Sequence, residues 1–471
     1  MLRTGRAVIA IVAAVVCASI PHPALAKQYS LAELLDMARR GNLGIAAGGA
    51  AASAMEAQVS EAWRNWLPSG ELLSFIAPVP RIECRGSYLD SGDSADKERR
   101  ESNCVSTNNN FRDNPGIIAQ IAGPWSRTEL RLIQPLWDFG KISAGVAAAE
   151  AGVSALREKQ SGTSFDVEQN VKRAYWGVKL ARELLDALNE GAGYIGDAQT
   201  KLEKQLEEGS GNVTVTDKLR LRTVRAEVDA RLLEAKRGET FALAALKTLL
   251  GPEAPADLDV DGESLEPLEI VQRPVSYYEE QARFNRPEVR ALDFAVKAKH
   301  ALADLERRRE YPDLVLIGTA SFAYAPTIDT PKSAFVANPF NSLGAGIAAA
   351  LRMPLDLGPK LARANRVRLE AEEVDIRRRE AMGGISLEVQ KAYGEVVEAK
   401  ARVEAVRKGE RAGKAWVTAV AQNFAIGLAE ARDFSDALLA FFTMRARYLQ
   451  SVFDQNVAAA ALSRATGTSV P

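Results

Sequence analysis

The chain has 471 residues, with 60 Lys and Arg against 61 Asp and Glu, two His and three Cys. So even a charge balance gives no footprint for nucleic acid. So few His and Cys exclude a His-rich metal centre, a four-cysteine zinc site, or a Ser-His-Asp triad with any redundancy.

Residues 1–26 read as a cleaved signal peptide. Arg3 and Arg6 form a basic start, Ala7 to Ile20 is an uncharged, mostly apolar run, and Ala24-Leu25-Ala26 is an A-x-A cleavage site. A run of about 14 apolar residues is too short for the ~20 that span a bilayer as a helix. Val16 precedes Cys17 where a lipobox needs a small residue, so a lipid anchor is not expected. Cleavage near Lys27 removes Arg3 and Arg6 and takes the formal charge from −1 to −3. His300, in the charged stretch AVKAKHALADLE, reads as a solvated surface histidine. No later apolar run reaches membrane-spanning helix length, which leaves a periplasmic protein, a secreted protein or a β-barrel. No catalytic constellation stands out, so the chain is not expected to be an enzyme or to hold a cofactor or metal.

The 20 prolines place the elements. None lies between Lys141 and Gly251 or between Lys360 and Val470, and shorter proline-free windows run Leu31–Leu67 and Glu288–Tyr311. Proline costs roughly 3 kcal/mol inside a helix, so these Ala/Leu/Glu/Arg-rich windows read as helix. In chain order the expected elements are a helix 31–66, a strand 70–79, an external loop 80–124 and a strand 127–137. A long helix 141–208, a return helix 213–250 and a linker 252–274 follow. The second half gives a helix 275–310, strands 313–325 and 342–354, a long helix 359–426 and a return helix 430–466. The first structural repeat is thus 27–251 and the second 275–467. Each long helix, at 1.5 Å per residue, is roughly 100 Å, about twice its return helix.

Both long helices carry a heptad seam with steps alternating three and four. Val171, Ala174, Val178, Ala181, Leu185, Leu188, Ala192, Ile195, Gln199, Leu202 and Leu206 form the first. The second runs from Val389 to Phe424 at a constant shift of 218. The strand-to-helix corners repeat as well. QPLWDFGK (Pro135, Asp138, Gly140) recurs as MPLDLGPK (Pro354, Asp356, Gly358), with Gly140 and Gly358 also 218 apart. The segments from Asp313 and Ser342 alternate apolar and small or polar residues with period two, the pattern of half-buried strands long enough to cross a bilayer. Four strands cannot close a barrel alone, so the barrel must be shared between subunits.

With these corners, the Ala-Tyr steps (Ala174-Tyr175, Ala392-Tyr393), the tip acids Asp217 and Asp433, and the helix ends Leu246…Gly251 and Leu462…Gly467, the sequence resembles the TolC-like outer membrane efflux proteins over essentially the whole mature chain. The resemblance implies a mainly α fold with a small β part. In it three protomers build a 12-stranded outer-membrane β-barrel and a periplasmic α-barrel of coiled-coil hairpins. It also implies a passive exit duct, for small molecules or proteins, engaged by a periplasmic adaptor and an inner-membrane pump of RND, ABC or MFS type. Asp433 and Asp436 correspond to an acidic lumen ring at the periplasmic tip, although Asp433 also suits a helix N-terminus as a cap. The first tip has Asp217 but Arg220 where the second acid would fall. Phe424 and Ala429 stand where the family's best-known member has a tyrosine and an arginine that lock the closed tip, so closure here needs other contacts. The polar segment 81–124 holds both mature cysteines, and an exported chain suits a Cys84–Cys104 disulfide in an external loop.

Two other readings fit less. A periplasmic adaptor has one hairpin between compact β-domains, whereas this chain has two. A structural coiled coil leaves the alternating strands unexplained.

Overall fold

The computed structural model describes residues 27–80, 82–84, 104–106, 121–208, 214–328, 330, 338–426 and 428–468. The expected signal peptide and most of the expected external loop lie outside them. The chain divides into two compact units, one formed by Met1–Ser53, Val153–Phe294 and Asp375–Pro471 and the other by Ala54–Gly152 and Ala295–Val374.

The second unit holds a four-stranded antiparallel sheet in the order β2 (Ser69–Pro80), β5 (Ile121–Trp137), β7 (Asp313–Tyr324) and β8 (Ser342–Arg352). β5 starts at Ile121, six residues before the expected 127, because Gly123 and Pro124 pair with Val79 and Pro78. Its register with β7 shifts between Pro135 and Trp137, leaving Leu136 as an extra residue. QPLWDFG is likewise one residue longer than MPLDLG.

The registers put Leu72 and Ile76, Leu130 and Leu132, Leu314 and Phe322, and Leu343, Ile347 and Leu351 on one face of the sheet. These side chains are exposed, Leu343 at 85% and Ile347 at 81%. The charged residues Glu71, Arg127, Glu129, Arg131 and Arg352 are all on the other face, with Thr319 and Ser321 and with Leu73, Phe75, Ile133, Val315 and Ile317 between them. A face of exposed apolar side chains opposite the face that holds all these charges is the pattern of a membrane barrel wall.

The helices of the first repeat are α1 (Leu31–Gly41), α2 (Leu43–Arg64), α3 (Lys141–Glu207) and α4 (Val215–Leu250). Those of the second are α5 (Val275–Asn285), α6 (Pro287–Arg308), α7 (Leu357–Ala425) and α8 (Ala431–Thr466). The seams are buried: Val171, Val178, Ile195 and Leu202 in α3, and Val389, Val396 and Val417 in α7.

The expected helices 31–66 and 275–310 are each broken in two. Asn42 and Arg286 interrupt them with nearly identical extended backbones, φ −69° and ψ near 122°. At the first break Asn42 donates from Nδ2 to the Leu249 carbonyl (2.8 Å), and its Oδ1 accepts from the Gly44 N–H (2.9 Å). The C-terminus of α4 therefore occupies the space a continuous helix would fill. Gly251, at φ +90°, lies so close to the Gly41 carbonyl that a Cβ would sit 2.0 Å from its oxygen. Gly467 and Asn285 repeat the arrangement, and Pro287 at the first position of α6 needs no helical N–H partner.

The linker 252–274 is bound in the first unit. Asp259–Val260 (β6) pairs in parallel with Gln28–Tyr29 (β1). Beyond it, Asn456 and Gln455 of α8 hold the Glu266 and Leu268 backbone with three hydrogen bonds of 2.9 Å.

Candidate functional site

The tips of the two helical hairpins are the candidate site, and they are built differently. In the first, Thr214 caps α4 through a reciprocal box: Asp217 N–H donates to Thr214 Oγ1 (3.3 Å), and Thr214 N–H donates to Asp217 Oδ2 (3.0 Å). The Asp217 carboxylate is thus committed to the helix start. Arg220, one turn on, is exposed. Lys218 Nζ meets Glu203 of α3 at 2.8 Å, and that hydrogen-bonded ion pair holds the Glu203 carboxyl below the ordinary range.

In the second tip Glu430 precedes α8 without any side-chain cap bond. Asp433, at the position equivalent to Asp217, is exposed, and among the described residues its carboxylate accepts no hydrogen bond. It lies in the first turn of α8, where its charge suits the helix N-terminus without a side-chain cap bond. Asp436 is exposed too, with Arg432 Nε 3.8 Å from its carboxylate. Sequence reasoning passed over Arg432, although its i,i+4 spacing to an acid on a helix is a legible signal.

Phe424 and Ala429 face inward. Phe424 (8% exposed) stacks on Phe434 (4% exposed) with centroids 5.4 Å apart and planes at 15°. Lys201 Nζ lies 5.6 Å from the Phe424 ring and donates to the Phe424 carbonyl (3.4 Å). Ala429 packs against the same cluster, which includes Ile195, Leu202, Leu221, Leu438 and Phe441. Both hairpins thus contribute to one apolar core at the tip, and Phe424 joins through its ring rather than through a hydroxyl.

The corners also differ. Asp138 is buried and caps α3, accepting from the Gly140 N–H (2.9 Å) and from the Ile142 N–H. Gly140 has φ +82°, Phe139 stacks on Tyr311, and Arg308 Nη1 donates to the Gly140 carbonyl (3.3 Å). Lys141 Nζ donates to the Tyr311 carbonyl (2.7 Å) and to Asp313 Oδ1 (2.6 Å). At the second corner α7 begins at Leu357, two residues before the expected 359, so Gly358 is helical, with open space around it. Asp356 pairs there with Lys360 (3.3 Å), whose Nζ also donates to the Pro354 carbonyl (3.0 Å). Pro135 lies in the strand beside the extra residue, and Pro354 follows the end of β8.

This difference makes opposite predictions for two glycines. Gly140→Ala should cost about 1–2 kcal/mol, because an L side chain resists the left-handed region. Gly358→Ala should be neutral or slightly stabilising in a helix. Thermal unfolding of the two variants, side by side, checks this.

A family model described as outer membrane efflux protein matches residues 79–252 and 279–468, one segment in each repeat. The chain belongs to the outer membrane efflux protein family. Among curated proteins, the cobalt-zinc-cadmium resistance protein CzcC of Cupriavidus metallidurans is 25% identical over 177 residues. That stretch is 38% of this chain and 41% of CzcC. Among solved structures, the CmeC outer membrane channel of Campylobacter jejuni aligns with a TM-score of 0.72 at 15% identity, covering 93% of this chain and 85% of CmeC. The outer membrane protein VceC of Vibrio cholerae aligns at 0.70 and 15% identity, covering 94% and 97%. At these identities the likeness is one of fold, and an outer-membrane location goes with the family.

Proposed function

We propose that this protein is the outer-membrane exit duct of a tripartite efflux system, passively carrying cargo outward when a periplasmic adaptor and an inner-membrane pump engage it. The observation that carries this reading is the four-stranded sheet with one exposed apolar face and two open edges. In lipid such edges must be paired, and three copies of four strands close a 12-stranded barrel. The helical hairpins then form the periplasmic tunnel, with the linker 252–274 at mid-height. Detergent-extracted protein should have the mass of a trimer, with a hollow axis in electron-microscopic images. A monomer, or a solid particle, would overturn the reading.

Asp433 and Asp436 face the lumen at the tip and form its cation-selective ring. The exposure of both carboxylates supports this, and Arg432 offsets part of the charge. Planar-bilayer recordings should show cation preference that falls in Asp433→Ala/Asp436→Ala and rises in Arg432→Ala. Equal selectivity in all three proteins would remove these residues from the conduction path.

In the external segment, β3 (Ile82–Cys84) and β4 (Cys104–Ser106) pair antiparallel with Cys84 directly opposite Cys104. Opposed residues in such a pair have Cα atoms about 4.5–5.5 Å apart, within disulfide range. The backbone register supports a Cys84–Cys104 bond, and mass spectrometry without reductant should find the two peptides linked.

A further inference from the structure

The two repeats correspond by fixed offsets. Ser69 pairs with Ile133 in the first hairpin and Asp313 with Arg352 in the second, giving 313 − 69 = 244 and 352 − 133 = 219. The long helices follow at 218, one less, because β5 holds the extra residue Leu136. Contacts obey the same rule. A Cβ on Gly152 would meet Met55 Cε at 2.3 Å, and at 152 + 218 and 55 + 244 stand Glu370 and Lys299, ion-paired at 3.0 Å. A Cβ on Gly49 would meet Gln160 Nε2 at 3.0 Å, and Asp293 and Arg378 form the matching ion pair.

Among the described residues one joint has no counterpart within the chain. β5 and α3 meet β7 and α6 where the first repeat joins the second, with Ile133 opposite Ile317, Leu130 opposite Ala320 and Glu129 opposite Ser321. On the helices a Cβ at Gly145 would touch Leu305 at 3.8 Å. Applying the offsets to this joint calls for β8 and α7 to meet β2 and α2, which are the two open sides of the same sheet.

We infer that these open sides join consecutive subunits in the register of the internal joint, and that Arg363 of one subunit pairs with the partner subunit's Glu61. The register sets Arg352 opposite the partner's Leu73, Ala349 opposite the partner's Ile76 and Ala348 opposite the partner's Ala77. Each pair of numbers totals 425, as in 352 + 73. The inference rests on the trimeric reading and adds to it where the subunits meet, residue by residue.

Two further observations agree with the offsets. The register sets the side of the sheet bearing Leu343, Ile347 and Leu351 edge to edge with the side bearing Leu72 and Ile76, so the apolar band continues around the barrel. A one-residue slip would turn one subunit's apolar face inward. On the helices, Gly145 maps to 145 + 218 = 363 and Leu305 to 305 − 244 = 61. A glycine–leucine contact inside the chain therefore becomes an arginine facing a glutamate between chains. Both are exposed, and neither has an ion-pair partner among the described residues.

Four single cysteines, combined in pairs, test the register in the full chain in outer membranes. On mild oxidation, Ala348→Cys with Ala77→Cys and Ala349→Cys with Ile76→Cys should give covalent trimers in non-reducing gels. The crossed pairs, Ala348→Cys with Ile76→Cys and Ala349→Cys with Ala77→Cys, should not. Cross-linking of the crossed pairs instead, or of none of the four, in protein that light scattering shows to be trimeric would overturn the register and leave the trimer standing. Monomeric protein would overturn both. For the ion pair, Arg363→Glu should lower the temperature at which the detergent-resistant oligomer dissociates, and adding Glu61→Arg should restore it. A double variant no better than the single would separate the two residues.

Discussion

Asp261→Ala should lower stability by about 3 kcal/mol, the low end of what breaking a buried ion pair costs. Asp261, on the linker, lies 2.7 Å from Lys179 Nζ of α3 and accepts a hydrogen bond from Tyr175 Oη at 2.8 Å. The Lys179 side chain is 6% exposed, against 21% for Asp261. Removing the carboxylate would leave a buried ammonium with only the Tyr175 ring, 4.6 Å away, and the exposed Glu263 carboxylate at 3.8 Å. These weaker partners, with the partial exposure of Asp261, keep the cost at the low end. Lys179→Met with Asp261→Leu should recover most of the loss, because it removes the burial penalty together with the attraction. Unfolding by denaturant, followed by circular dichroism, compares the three proteins. If the double variant is no more stable than Asp261→Ala, Lys179 is not the group left stranded.

The same cluster sets a pH dependence. Burial pushes the Asp261 carboxyl up, but the hydrogen bonds from Lys179 and Tyr175 outweigh it and leave the pKa below the ordinary aspartate value. Its contribution is complete above the unfolded value near 3.9 and is lost as pH falls through the depressed folded value. Burial and the bond to Asp261 hold the Tyr175 phenol well above its usual range. Its contribution is present below about pH 10 and is lost as pH rises through the folded value. Asp261→Asn should therefore flatten the acid limb of a stability–pH curve and only reduce the alkaline one, because the burial of Tyr175 persists.

Phe434→Ala should have the second large effect, about 3–5 kcal/mol for truncating a buried aromatic. Phe434 and Phe424 stack where α7 gives way to α8, and Lys201 from the other hairpin caps the Phe424 ring and carbonyl. The loss should appear locally, as faster amide exchange around residues 414–440 and as raised resting conductance in planar bilayers. Leu439→Ala, at an exposed position on the same helix, should change neither by much. Equal effects from the two substitutions would show that the tip is not held by the ring stack.

The long helices and both β-hairpins were legible because proline, heptad steps and period-two alternation are local signals. The family resemblance was legible because weak signals recurred at a constant spacing. The tip was only partly legible. Asp433 and Asp436 could be located, but the capping box that occupies Asp217 and the Arg432 that offsets Asp436 depend on side-chain geometry. The corners looked like copies, yet only the first takes a left-handed glycine, because Arg308 and Tyr311 brace it from a segment about 170 residues away.

The amino-acid order alone therefore specified which stretches are rods, which are strands, and that the plan occurs twice, since helix and strand periods are written in neighbouring residues. The breaks at Asn42 and Arg286, the extra residue in β5 and the register between hairpins came from packing. Each is set where segments distant in the chain compete for the same space or share a ladder of hydrogen bonds, and no local pattern encodes that outcome.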